Sequence, residues 1–231
     1  METFAEKVIQ FNRQLSFSGE LPEHIRILNP FENNPEINRI SEQFYRKYYG
    51  DTSSRKMIIG INPGRLGSGA TGIPFTDTKR LTEVCQIPVQ SVNTHEPSSV
   101  FVYDMIRAYG GVKRFYKDFY IHSICPLGFV VRNSKNNWVN CNYYDDKELY
   151  EIMYDFMVAS FRKQLEFGID RETGYVLGKK NLSFIRKINE KEKFFDRLVV
   201  LEHPRYIVQY KSKESDLYIA KYLQILTGYR D

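Results

Sequence analysis

Residues 57–75 read MIIGINPGRLGSGATGIPF, and the reading of the whole chain grows from this stretch. It starts with Met57-Ile58-Ile59, a short apolar run directly after Arg55-Lys56. Short β-branched runs bounded by turn residues form buried strands, so a strand is predicted over 55–61. The run enters a loop with glycines at 60, 64, 67, 69 and 72. A residue without Cβ lets backbone approach a ligand closely. Open α/β sheets hold their ligands beyond the C-terminal ends of strands. The loop therefore has two readings, a structural turn or a pocket for a phosphate or a base. Its spacing matches neither the dinucleotide fingerprint nor the P-loop, because Lys79 comes too late. Pro74-Phe75 closes it with a flat aromatic ring beside the glycines.

Three further strands are predicted over 118–124, 173–177 and 196–202. The last is almost uniformly apolar at its centre (Leu198-Val199-Val200-Leu201), as a buried parallel strand should be. Helical periodicity predicts helices over 2–16, 35–49, 78–85, 99–109, 146–167, 180–193 and 215–229. Ser99 is the expected N-cap of one, with Gly110-Gly111 behind it, and Asp145-Asp146 cap another. Tyr45-Arg46-Lys47-Tyr48-Tyr49 reads as a solvated helix face, with a nucleic-acid contact as the alternative. The region from Leu21-Pro22 to 34, residues 86–98, and residues 132–147 with their asparagine-rich turns are predicted loops. Trp138 in the last of these either packs on the body as a lid or makes a contact with a bound partner. Strands separated by helices imply parallel crossovers. The fold class is α/β, a three-layer α/β/α sandwich around a central four-stranded parallel sheet. Three chemically notable stretches then fall just past the ends of the first, second and fourth strands.

The 231 residues are read as one domain spanning 1–231. Lys and Arg number 33 against 28 Asp and Glu, a formal charge of +5 that suits a polyanion but is weak on its own. The 17 Tyr and 16 Phe serve either a core or base stacking. Three cysteines without a C-x-x-C motif argue against a disulfide framework and against four-cysteine zinc or iron–sulfur sites. No metal and no cofactor are expected. No signal peptide and no membrane-length apolar run are read, so a reduced, cytoplasmic setting is expected.

The pattern Gly60-x-Asn62-Pro63-Gly64, followed by Thr71-Gly72-x-Pro74-Phe75, resembles the first motif of the single-strand-selective monofunctional uracil-DNA glycosylases. His122-Ser123-Ile124-Cys125-Pro126-Leu127 resembles a second segment of that family, and His203-Pro204-Arg205-Tyr206 its His-Pro motif. The resemblance implies a DNA glycosylase that cleaves the N-glycosidic bond of uracil. Asn62 and His203 would be catalytic, Asn62 orienting a water and His203 donating to O2 of the departing base. Gly64, Ser68, Phe75 and Ser123 would bind the base, with Phe75 stacking on it. Arg65, Arg205 and Tyr206 are the candidate DNA contacts.

Two departures stand out. The family's base-reading Asn is Ser123 here, which predicts a broader range of deaminated bases, purines included. The wedge after His203-Pro204 looks short and altered, which predicts single-stranded DNA as the favoured partner of a monomer. No lysine stands in a motif position, which argues against a Schiff-base lyase. Each residue also has a plainer reading. Asn62 would serve an Asx turn before Pro63, Phe75 would pack under the loop, and His203 would be a structural imidazole. The alternatives for the whole chain are a non-catalytic nucleic-acid-binding module and a nucleoside or nucleotide hydrolase.

Overall fold

The computed structural model describes residues 1–228; Tyr229, the predicted end of the last helix, lies outside the described residues. The chain begins with α1 (Phe4–Arg13), β1 (Ile25–Leu28), α2 (Pro35–Tyr49) and β2 (Arg55–Gly60). Next come α3 (Ser68–Thr71), α4 (Thr78–Glu83), α5 (Pro97–Tyr109), α6 (Val112–Asp118) and β3 (Phe119–Ser123). Then follow β4 (Gly128–Arg132), β5 (Trp138–Cys141), α7 (Lys147–Leu165), β6 (Ile169–Leu177) and α8 (Lys179–Glu192). The described chain finishes with β7 (Arg197–Leu201), α9 (Pro204–Tyr210) and α10 (Ser215–Thr227).

The central sheet has the order β3-β2-β6-β7, and every pair is parallel. Its first strand in sequence, β2, lies inside it, with Ile58 opposite Ile121 on one side and Tyr175 on the other. Met57, Ile58 and Ile59 are buried, and each such side chain contributes roughly 1.5–3 kcal/mol. The chain crosses one way from β2 to β3 and the other way from β3 to β6. Right-handed crossovers in opposite directions put their helices on opposite faces. That gives the three layers, with α6 against β2 and β3, α7 against β6, and α8 against β6 and β7.

At the foot of β2, Arg55 is fully enclosed. Its guanidinium donates to the Tyr116 and Ser53 carbonyls and to the Asp51 carboxylate, between the rings of Phe4 and Tyr49.

The structure departs from the sequence reading in several places. Two of the predicted loops contain strands: β1, β4 and β5 form a separate antiparallel sheet in the order β1-β4-β5. The segment 132–147 is thus largely a hairpin and its exit. Asn133 Oδ1 accepts the N–H groups of Lys135 and Asn137 at its tip. The strand at 197–201 is an edge strand, half-exposed along most of its length, not a buried one. Helix α5 starts two residues earlier than predicted, with Glu96 at its N-cap. Ser99 does not cap it; its hydroxyl donates to Asp77. Residues 204–210, read as a wedge loop, are helical. Tyr45, Tyr48 and Tyr49 are buried, so only Arg46 and Lys47 of that cluster face outward.

Candidate active site

Four parallel strands end on the same side of the sheet and hand over to four different loops. Asn62 follows β2, Ser123 closes β3, Gly178 follows β6 and His203 follows β7. All four line one cleft of about 680 Å³, together with Gly64, Ser68, Phe75, Arg205 and Tyr206. Of the predicted site residues, only Arg65 is absent from that lining. It is exposed, and its backbone N–H donates to Asn140 Oδ1 at 3.0 Å.

The imidazole of His203 has a defined tautomer. Residue 203 is the N-cap of α9, and its Nδ1 accepts the backbone N–H of Arg205 at 3.1 Å. An Nδ1 that accepts carries no proton, so the neutral ring bears its hydrogen on Nε2. Burial and the neighbouring Arg205 charge lower its pKa to about 4. The ring centroid lies 6.0 Å from that of Phe75, at an interplanar angle of 59°. His122 contrasts with it: buried, stacked on Tyr120 and outside the cleft lining, it is a core imidazole.

Asn62 is held in one orientation. Its Oδ1 accepts the Tyr143 N–H at 3.0 Å, and its Nδ2 donates to the Cys141 carbonyl at 3.2 Å. Those partners are a donor and an acceptor respectively, so the amide cannot be reversed without losing both. One lone pair of Oδ1 is left. The segment that Asn62 grips is braced from the other side, where the Tyr143 hydroxyl donates to Asn181 Oδ1 at 2.9 Å. Asn181 in turn donates to the Gly60 carbonyl at 3.2 Å. The hairpin's exit is therefore tied to the end of β2.

Phe75 adopts φ of +50°, a left-handed conformation that costs an L-residue roughly 1–2 kcal/mol. The loop tolerates it because Thr71 Oγ1 bonds the Thr76 carbonyl at 2.8 Å, closing the turn around it. Ser123 is held by its carbonyl, which accepts Gln164 Nε2 at 3.3 Å. Its hydroxyl faces Gly60, where an added Cβ would lie 3.2 Å from Oγ.

Sequence reasoning missed several lining residues. Lys179 and Lys180 open α8 at the end of β6, although no lysine was expected at a motif position. A Gly-Lys-Lys step from a parallel strand into a helix is an anion-binding signal that would have flagged them. Lys180 pairs with Asp145 at 2.9 Å and sits 4.5 Å from the Tyr144 ring centre. Asn140 reaches the cleft from β5, a strand the sequence did not announce. Glu96 is a further omission. Its carboxyl lies over Gly67, where a Cβ would come within 2.5 Å of it. One carboxyl oxygen is sealed from solvent without a hydrogen-bond partner among the described residues. Burial and the charge of Asp77 raise its pKa to about 7.

Comparison with known proteins locates this architecture. Residues 47–227 match the family described as the uracil DNA glycosylase superfamily. The crystal structure of wild-type Pedobacter heparinus SMUG2 is similar at 52% sequence identity and a TM-score of 0.95, covering 99% of this chain and 98% of that one.

Proposed function

The chain belongs to the uracil DNA glycosylase superfamily, and from that premise we propose a monofunctional glycosylase that releases uracil and other deaminated bases from single-stranded DNA. The observation that carries this reading is the neutral His203 facing the same cleft as Asn62 and Phe75. Breaking an N-glycosidic bond leaves a cationic sugar and an anionic base. The Nε2–H of His203 would donate to the base oxygen as that charge develops. Such a donor contributes about 3–4 kcal/mol to barrier lowering in comparable anion holes. Asn62 has no useful basicity. Its free Oδ1 lone pair would align the attacking water; the sugar cation would form largely before the water bonds, and the water's surplus proton would pass to the anionic base or to solvent.

Phe75 would stack on the extruded base. Gly64 and Ser68 would frame its edge. Ser123 offers a single rotatable hydroxyl where a carboxamide would present a fixed donor and acceptor, which suits more than one base. Arg205, Tyr206 and the lysines opening α8 would meet the strand's phosphates at the rim. Taking a base out of a duplex costs a few kcal/mol, and the segment after His203 is the short helix α9. A single-stranded substrate avoids that cost. The protein would act as a monomer. All three cysteines are free and buried, in keeping with a reducing compartment such as the cytoplasm.

The test uses labelled oligonucleotides carrying uracil or a deaminated purine, single-stranded and duplex. The expected result is alkali-labile sites from both bases, faster on single strands, with no borohydride-trapped adduct. Strict uracil preference would remove the broad-range reading, and a trapped adduct would remove the monofunctional one.

A further inference from the structure

The small antiparallel sheet carries a feature that the chemistry above does not use. The guanidinium of Arg26 lies 4.3 Å from the centre of the Trp138 ring, and that of Arg132 lies 5.0 Å from the same ring. Among the described residues, no carboxylate pairs with Arg26, Arg132 or the nearby Arg65. Arg13, Arg80, Arg107 and Arg162 each have an acidic partner; Arg46, Arg114 and Arg186 have none either, and what sets Arg26 and Arg132 apart is that they share one indole. Two unneutralised cations held on one indole, in a chain with 28 acidic residues to draw on, form a surface complementary to a polyanion.

The register joins this surface to the cleft. Directly paired residues in an antiparallel ladder share a face. Arg26 pairs with Val130, which pairs with Asn140, and Arg132 pairs with Trp138. Residues two apart on a strand share a face as well, so Arg26, Arg132, Trp138 and Asn140 lie on one side of the sheet. On that side the Leu28–Gly128 row packs under the glycine loop, for a Cβ on Gly128 would sit 2.3 Å from the Pro63 carbonyl oxygen. Asn140, in the next row, lines the cleft and binds the Arg65 backbone. The Arg132–Trp138 row follows, about 7 Å farther out.

We propose that Arg26, Trp138 and Arg132 form a phosphate-binding track that grips the DNA strand beside the nucleotide held in the cleft. The indole holds both guanidiniums, and their outer N–H edges would each meet a phosphate of the strand. Arg132 spends one N–H on Asn136 and keeps the rest of its fork. This rests on the glycosylase reading only for the identity of the strand. The plainer role, a cross-strand contact that merely stiffens the hairpin, makes a different prediction.

The experiment measures binding of the Arg26→Gln/Arg132→Gln double variant to an undamaged single-stranded 15-mer as a function of salt, with Trp138→Leu as a second variant. Removing the cation from one phosphate of a single strand lowers the slope of log K against log salt by about 0.7. The expected result is a slope smaller by about 1.4, affinity weaker by roughly tenfold near physiological salt, and unchanged turnover of a uracil trinucleotide. Trp138→Leu should lose part of the same affinity. An unchanged slope and affinity in the folded double variant overturns the track, whatever the hairpin's stability does. Failure of the wild type to release any base overturns the glycosylase reading instead, and leaves the salt slopes to decide the track.

Discussion

His203 and Glu96 line one cleft, and the protein shifts them in opposite directions. Desolvation and Arg205 hold the imidazole neutral down to about pH 4. Between that value and the ordinary 6.5, the unfolded chain binds a proton that the folded chain refuses. Stability therefore falls as pH drops through this window, while base release should stay level from about pH 5 upward. A rate that rises on acidification through pH 6 would mean that His203 acts as an imidazolium. For Glu96 the sign reverses. Its carboxyl is raised from 4.5 to about 7, so the folded state keeps a proton that the unfolded state has lost. Stability falls as pH rises through that window, and the cost is fully present above it. Glu96→Gln should thus stabilise the fold at pH 8 by about 1–2 kcal/mol, after discounting for partial exposure. Urea unfolding at pH 5 and pH 8 checks it; an equal effect at both would contradict the role given to titration. His203 and Asn62 were legible because each follows a strand and stands in a motif that resembles the family's. Glu96 was not, because it comes from a loop without periodicity, and only folding brings it over Gly67.

At the scale of elements, the joint between the small sheet and the glycine loop carries the site's shape. Gly128 packs on the Pro63 carbonyl, which is backbone and cannot swing aside. Gly128→Ala should destabilise by about 3 kcal/mol and displace the loop bearing Gly64 and Ser68. A denaturant midpoint within error of the wild type would show that β4 has freedom to shift there. This joint was invisible in the sequence for a physical reason. β1 and β5 have four residues each, too few for alternation to stand out between proline and asparagine turns. The parallel strands, with their apolar centres, were legible. The half-exposure of β7 was not, since an edge strand and a central strand share the same apolar run, and strand order is decided by crossovers. The helix at 204–210 was read as loop because its seven residues are too few to establish a helical period.

At the scale of the molecule, the described core is one continuous cluster, running from Phe4 through Met57 and Phe129 to Leu226. We propose on that basis that the chain is a single cooperative unit. The one tryptophan, Trp138, sits on the small sheet, so its fluorescence follows that sheet while far-ultraviolet circular dichroism follows the helices. The two signals should change together in urea. A fluorescence transition at lower urea would mean that the hairpin opens by itself. On the reading proposed above, base release turns on one neutral imidazole and one fixed carboxamide that share a cleft. Single-turnover release of uracil from a single-stranded oligonucleotide tests that most directly. Wild type should release the base, with His203→Ala and Asn62→Ala each slower by roughly 10²–10³-fold while still binding the strand. Near-wild-type rates in both folded variants would contradict it.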